Sequence, residues 1–205
     1  PAFDEFGNRG TRVLQELYIT NNSHPTGEKH KLDFARDGSS YSLAHRHHHP
    51  WFRKLLEERG YYDIFLISTG GDVIYSVFKE LDYATNLLTG EWKDSDLGRV
   101  YRMANSNPQP GAIAFTDFAP YAPSYDAPAS FIATSVIGSN NTVIGTLIFQ
   151  MPIERINQIM QASQGMGESG ETYLVGSDYL MRSDSRFFEE STILKTQVKT
   201  ATVKA

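Results

Sequence analysis

The chain has 205 residues, of which 40% are hydrophobic, 12% aromatic and 21% charged, the balance of a folded protein and not of a disordered one. A formal net charge of -5 gives no electrostatic reason to approach phosphate backbones, so nucleic acid is not expected as a partner. No window approaches the ~20 consecutive apolar residues of a membrane-spanning helix, and cysteine is absent, which suits an oxidising compartment without requiring one.

Pro1, Ala2 and Phe3 read as a start in mid-flow, so the chain is expected to be a piece of something longer. Phe6, Val13, Leu14, Leu17 and Tyr18 recur at loosely helical spacing and predict an N-terminal helix over 3–20. The turn formers at 21–27 end it. A second helix is predicted over 39–59, with Tyr41, Leu43, His45, His48, Trp51, Phe52, Leu55 and Leu56 as its buried face and Gly60 as its stop. Apolar, β-branched runs at 62–68 and 73–78 around Gly70-Gly71 predict a β-hairpin.

Asp94 or Ser95 can cap a helix whose Leu97, Val100, Tyr101 and Ala104 share a face, ending before Pro108 and Pro110. Strands are predicted at 112–118, 130–137 and 142–150, the last two joined by Gly138-Ser139-Asn140-Asn141. Pro152 opens a short helix with Ile153, Ile156, Ile159 and Met160 on one face. The fold class that follows is α+β, a five-stranded antiparallel sheet with a long N-terminal helix and a crossing helix. Beyond a Gly-rich joint at 165–170, residues 172–183 echo the first hairpin, and 192–205 are read as a crossing helix cut short.

The runs 61–67, 73–80, 117–121, 145–150 and 167–175, the last reading Gly-Glu-Ser-Gly-Glu-Thr-Tyr-Leu-Val, resemble Cache-type, PAS-like sensor domains of bacterial chemoreceptors, receptor cyclases and sensor kinases. That resemblance covers roughly 40–190. It implies an N-terminal helical region at 1–60, a PAS-like sensor module at 61–163, and at 164–205 a linker with the start of a truncated second module. It further implies a periplasmic domain of an inner-membrane signalling receptor, membrane-anchored when full length, with a homodimer through the N-terminal helix. The domain would bind a small molecule and have no catalytic activity and no cofactor.

A curved sheet only partly covered by its crossing helix should leave a solvent-reachable hollow near its middle. The expected ligand contacts are Tyr75, Lys79, Asp82, Tyr83, Asp117, Tyr121, Tyr125 and Phe131. Carboxylates beside aromatic rings favour an amine or amino acid, whereas Lys79 and Arg102, if they face inwards, favour an organic acid. The bland alternatives are core packing for Tyr75 and Phe131 and turn capping for Asp82 and Asp126. His45, His47, His48 and His49 invite a metal-binding domain or a metal-dependent enzyme as the competing function, although no His-Glu-x-x-His pattern supports it. The simpler reading packs His45 and His48 inwards and leaves His47 and His49 in solvent.

Overall fold

Ser39 starts the longest helix: its hydroxyl accepts a hydrogen bond from the Ser42 N–H at 3.0 Å, satisfying a donor that the first turn leaves over. Gly60 ends it at φ 72°, a left-handed conformation that glycine adopts without a Cβ penalty, with its N–H on the Leu56 carbonyl. Between those caps α2 runs Ser40–Arg59 in the computed structural model, which describes Ala2 and residues 9–204. Before it, α1 (Gly10–Gln15) continues into a π-helical turn, Glu16–Thr20; the predicted helical residues 3–8 lie outside the described residues.

The five strands are β1 (Asp63–Ile67), β2 (Val73–Ser76), β3 (Ala114–Tyr121), β4 (Ala127–Ile137) and β5 (Val143–Gln150). They form one antiparallel sheet in the order β2-β1-β5-β4-β3, so the architecture is the predicted α+β one. Helix α3 (Asp96–Ser106) crosses between β2 and β3 and packs on β3 and β4. Its cap is Ser95, and Gly98 is required in its first turn because a Cβ there would lie 2.4 Å from the Lys93 carbonyl oxygen. Helix α4 (Ile153–Met160) follows Pro152 as predicted.

Two apolar layers flank the sheet. On one face Phe65, Ile67, Phe131, Ala133 and Ile148 meet Leu97, Val100 and Tyr101 of α3. On the other, Ile64, Tyr75 and Val77 meet Leu56, Phe52 and Leu55 of α2. A bulge divides β2 between these layers: Val73 pairs with Ile67 and Tyr75 with Leu66, so Ile74 is the extra residue and Tyr75 emerges beneath α2. Alternation without a bulge would have put Val73 and Tyr75 on one face.

Several expected details change. The inner side of α2 carries Tyr41, Ser42, His45, His49 and Leu56, whereas Leu43 and Trp51 are exposed. His49, not His48, is therefore the inward partner of His45, at i, i+4. The segment 192–199 is not helical: residues 193–195 form a turn on the Thr192 carbonyl, then Gln197 bridges Leu180 and the Val198 N–H bonds the Tyr179 carbonyl, and only α5 (Ala201–Lys204) is helical. The β-branched Thr192, Ile193, Thr196 and Val198 disfavour helix there. In this C-terminal region Met181, Ser183, Ser185 and Ile193 are buried, and Arg182 ties it to Asp117 of β3 and Asp184 to Asn157 of α4.

Candidate functional site

Alternation along β1 places Asp63 on the α3 side of the sheet with Phe65 and Ile67. The register then carries that side across four strands: Asp63 faces Gln150, Gln150 faces Phe131, and Phe131 faces Thr116. All four are buried, so a row of three polar side chains and one aromatic ring lies inside the core. Loop 77–85 and the 3-10 turn Ala122–Ser124 close over it.

Within this cover the Tyr121 hydroxyl donates to Asp82 Oδ2 at 2.6 Å, and its ring stands edge-on to Phe131 at 5.0 Å. Glu80 accepts from Ser124 Oγ at 2.6 Å and from the Tyr62 hydroxyl at 3.0 Å. Asp63 Oδ1 accepts three backbone N–H groups, those of Ile64, Val77 and Phe78, at 2.6, 2.9 and 3.1 Å. The Lys79 ammonium donates to the Ser76 carbonyl and lies over the rings of Tyr75, Tyr83 and Tyr18 at 4.5, 5.2 and 5.9 Å.

Four acceptor-capable atoms of this cluster are buried with no hydrogen-bond partner: Asp63 Oδ2, Asp82 Oδ1, Gln150 Oε1 and Thr116 Oγ1. A buried polar atom left unmatched costs about 1–3 kcal/mol, so four together are not a stability device. The covering segments also hold four non-glycine residues at left-handed φ: Lys79 (62°), Ala84 (62°), Tyr125 (56°) and Asp126 (58°). Each such residue costs of order 1 kcal/mol, a pattern typical of segments shaped for a task.

Burial sets the electrostatics. It pushes Asp82 up to about 7, against the opposing pull of the Tyr121 hydrogen bond and with help from Glu80. Asp63 is raised well above the usual carboxylate range by burial and by the neighbouring Asp82 and Glu80 charges, and Glu80 is raised by burial. Lys79 is lowered to about 7 by burial, with Asp63 opposing. Close carboxylates cannot all ionise cheaply out of water, so the cluster is poised to gain from an incoming positive charge.

The expected contacts separate into groups. Asp82, Tyr121 and Phe131 lie in or against the cluster, and Lys79 sits at its edge. Tyr83 is buried behind the loop, its hydroxyl 2.7 Å from that of Tyr41, and Tyr75 lies on the opposite face with its hydroxyl 2.7 Å from His49 Nδ1. Asp117 points away from the row, because it follows the inward Thr116 by one residue and alternation puts it on the other face, and it pairs with Arg182 at 3.0 Å. Tyr125 is 73% exposed. Arg102 bonds the carbonyls of Lys93 and Leu87 and does not face inwards.

Among the described residues the anticipated hollow is filled, with Asp82, Tyr121 and Phe131 buried at the middle of the sheet face. A cleft of about 50 Å³ reaches Lys79 and Glu80 from outside between Phe78, Pro123 and Tyr125. Sequence reasoning missed Asp63, Thr116 and Gln150. A carboxylate two residues before Phe65 on an otherwise apolar strand was the available signal, since alternation alone puts it in the core.

The histidines resolve differently from either expectation. His45 and His49 stack at 4.3 Å, and His49 Nε2 donates to the His30 carbonyl at 2.6 Å. Burial drives both rings' basicity down, to about 2 for His49, with Lys79 adding to the effect. Among the described residues no group of three or more His, Cys, Asp or Glu side chains is placed to hold a metal ion.

No family model matches the sequence, and no curated protein matches it. Solved structures similar to it include the sensor domain of the Vibrio cholerae histidine kinase DctB, at 14% identity and TM-score 0.45, with 89% of this chain and 63% of that one covered. The ligand-binding domain of the Pseudomonas fluorescens chemoreceptor CtaA in complex with L-serine matches at 15% identity and TM-score 0.47, over 91% of this chain and 69% of that one. That of the Pseudomonas aeruginosa amino acid chemoreceptor PctC in complex with GABA matches at 15% and 0.45, over 94% and 76%. The chain thus spans just under two thirds of the DctB domain. Among the described residues no helix is long and apolar enough to cross a membrane.

Proposed function

We propose that this chain is the extracytoplasmic ligand-sensing module of a bacterial transmembrane signalling receptor, and that it recognises a small amine-bearing molecule, an amino acid or a simple amine. The observation that carries this reading is the set of unpartnered acceptor oxygens on Asp63, Asp82 and Gln150, buried together on one sheet face. An ammonium group supplies up to three donors and the positive charge that raised carboxylates lack. An organic acid finds less here, because the Lys79 ammonium is already engaged by a carbonyl and three tyrosine rings. Carboxylates, an amide and hydroxyls without an activated nucleophile among them support binding rather than catalysis.

Entry requires loop 77–85 or 122–126 to move, and the left-handed residues in both store strain that such a movement relieves. Ligand binding then shifts the balance between two packings of the cover on the sheet, by no more than the ligand's difference in affinity for them. In the full-length receptor, anchored in the inner membrane, that shift would pass to the output domain, with the N-terminal helix serving as a dimer contact.

Thermal-shift and titration measurements with amino acids, amines and matching acids that lack the amine test the proposal. A ligand at about 100 times its Kd adds roughly 2.7 kcal/mol, or about 5–10 °C in Tm for a chain of this size. Because an ammonium favours ionised Asp82, its affinity should rise with pH up to about 7 and then level. Stabilisation by the acids alone, or by no amine, contradicts the assignment.

A further inference from the structure

An α-amino acid brings a carboxylate into any site that holds its nitrogen, since covalent geometry keeps the acid oxygens within about 4 Å of that nitrogen. In the acidic row the buried oxygens without a partner belong to Asp63, Asp82, Gln150 and Thr116, and all four are acceptors for an ammonium. A ligand carboxylate beside them needs a cation of its own. Lys79, at the edge of the row, donates to the Ser76 carbonyl and lies over the rings of Tyr75, Tyr83 and Tyr18, so reaching a ligand means leaving all four. Lys29, which borders the cleft leading to Glu80, donates to the Asn22 carbonyl at 3.0 Å. Arg102 is held by the Lys93 and Leu87 carbonyls, and Arg182 by Asp117 and Asp178.

Glu80 sharpens this imbalance. It borders the cleft that opens between Phe78, Pro123 and Tyr125, and both of its oxygens accept, Oε2 from Ser124 at 2.6 Å and Oε1 from Tyr62 at 3.0 Å. A carboxyl group that accepts at both oxygens has no proton to give, so Glu80 presents a negative charge beside the way in. Because both oxygens are already matched, the ligand nitrogen finds its seat on Asp63 and Asp82 and not here. Burial raises those two carboxyls, and the Glu80 charge adds to it. The same charge that favours an amine repels a carboxylate that has lost its water.

We propose that the acidic row takes an amine that bears no carboxylate, and that Glu80 is the residue that turns α-amino acids away. This rests on the reading of that row as the ligand site and narrows the class of ligand it accepts. The exclusion acts through charge and not through bulk. An amino acid amide, which matches its parent acid in size but is neutral at that end, therefore belongs with the accepted amines.

Calorimetric titration of the whole chain with two matched sets tests the proposal: isobutylamine, L-valinamide and L-valine, then tyramine, L-tyrosinamide and L-tyrosine. In the set that binds better, the amide is expected to bind about a hundredfold more tightly than the amino acid, with the amine on the amide's side of that gap. Glu80→Gln keeps the shape of the side chain and removes its charge, and should narrow the gap between amide and amino acid to about tenfold. Glu80→Ala serves in its place if the Gln variant does not fold. A merely structural role for Glu80 would weaken all three ligands alike and leave the gap as it was, and that result overturns its assignment. An amino acid that binds the native chain within about tenfold of its amide overturns the exclusion and leaves amine recognition standing. Binding of none of these ligands contradicts amine recognition itself, and the exclusion with it.

Discussion

Replacing Asp82 with Asn changes one atom's protonation chemistry while keeping the shape of the side chain, and it should separate stability from binding. In the folded protein the Asp82 carboxyl holds its proton up to about pH 7, against an ordinary value of 3.8. Between those limits the native state binds a proton that the unfolded chain has released. Asp82 therefore contributes stability that is fully present below about pH 4 and is lost as pH rises through about 7. At about 1.4 kcal/mol per pH unit the loss amounts to roughly 4 kcal/mol, an upper bound because relaxation of the surroundings reduces it. Asn carries no such dependence and still accepts from the Tyr121 hydroxyl. Urea unfolding of both proteins from pH 4 to 9 should show near-equal stabilities at pH 4 and an Asn variant more stable by about 2–4 kcal/mol at pH 8. The same variant should lose amine binding, the exchange of stability against recognition expected of a site. A difference between the two proteins that does not vary with pH, or an Asn variant less stable throughout, would show that Asp82 does not hold its proton in the folded protein.

Phe131→Ala, which removes the only ring in the row and the edge contact to Tyr121, should cost about 3–5 kcal/mol in urea unfolding. Gly60→Ala meets no atom within 4 Å, so only the left-handed φ is penalised: about 1 kcal/mol, seen as a Tm lower by about 2–4 °C. Arg182→Ala breaks the bonds to Asp117, Asp178 and the Leu180 carbonyl, but the two carboxylates left behind are about half exposed and resolvate readily. The loss should stay near 1–2 kcal/mol, with amide exchange accelerated at Leu174 and Arg182 and unchanged in β4 and β5.

The sheet and its order of elements were legible because their signals are local. The Gly70-Gly71 and Gly138–Asn141 turns, the caps at Ser95 and Gly60, and the 3.6-residue spacing of Leu97, Val100 and Tyr101 each state a boundary or a face. What was lost depended on one-residue insertions. The extra residue at Ile74 sends Tyr75 to the α2 side, and the irregularity between Thr116 and Ala119 brings Tyr121, an odd number of residues beyond Thr116, back to the inward side. A period-two pattern cannot register either event, since one added residue reverses every later side chain.

The acidic row was only partly legible for a related reason. Asp82 sits in a loop and Tyr121 at the end of β3, beyond the predicted strand, and both drew notice by type, whereas Asp63 and Gln150 are polar residues at strand ends, where such residues usually mark the way out to solvent. Their burial follows from loop 77–85 folding back over them, a tertiary contact with no local sequence signature. In the histidine run, Gly60 and Ser39 fix the extent of α2 but not its rotation. Contacts to Tyr75 and to the His30 carbonyl choose His49 over His48.

A crystal structure of the chain grown with the amine that stabilises it most would test the central claim most directly. The ligand nitrogen should lie within hydrogen-bond distance of Asp63 Oδ2 or Asp82 Oδ1, with loop 77–85 or 122–126 displaced. An amine seated elsewhere, with both oxygens still unpartnered, would contradict it.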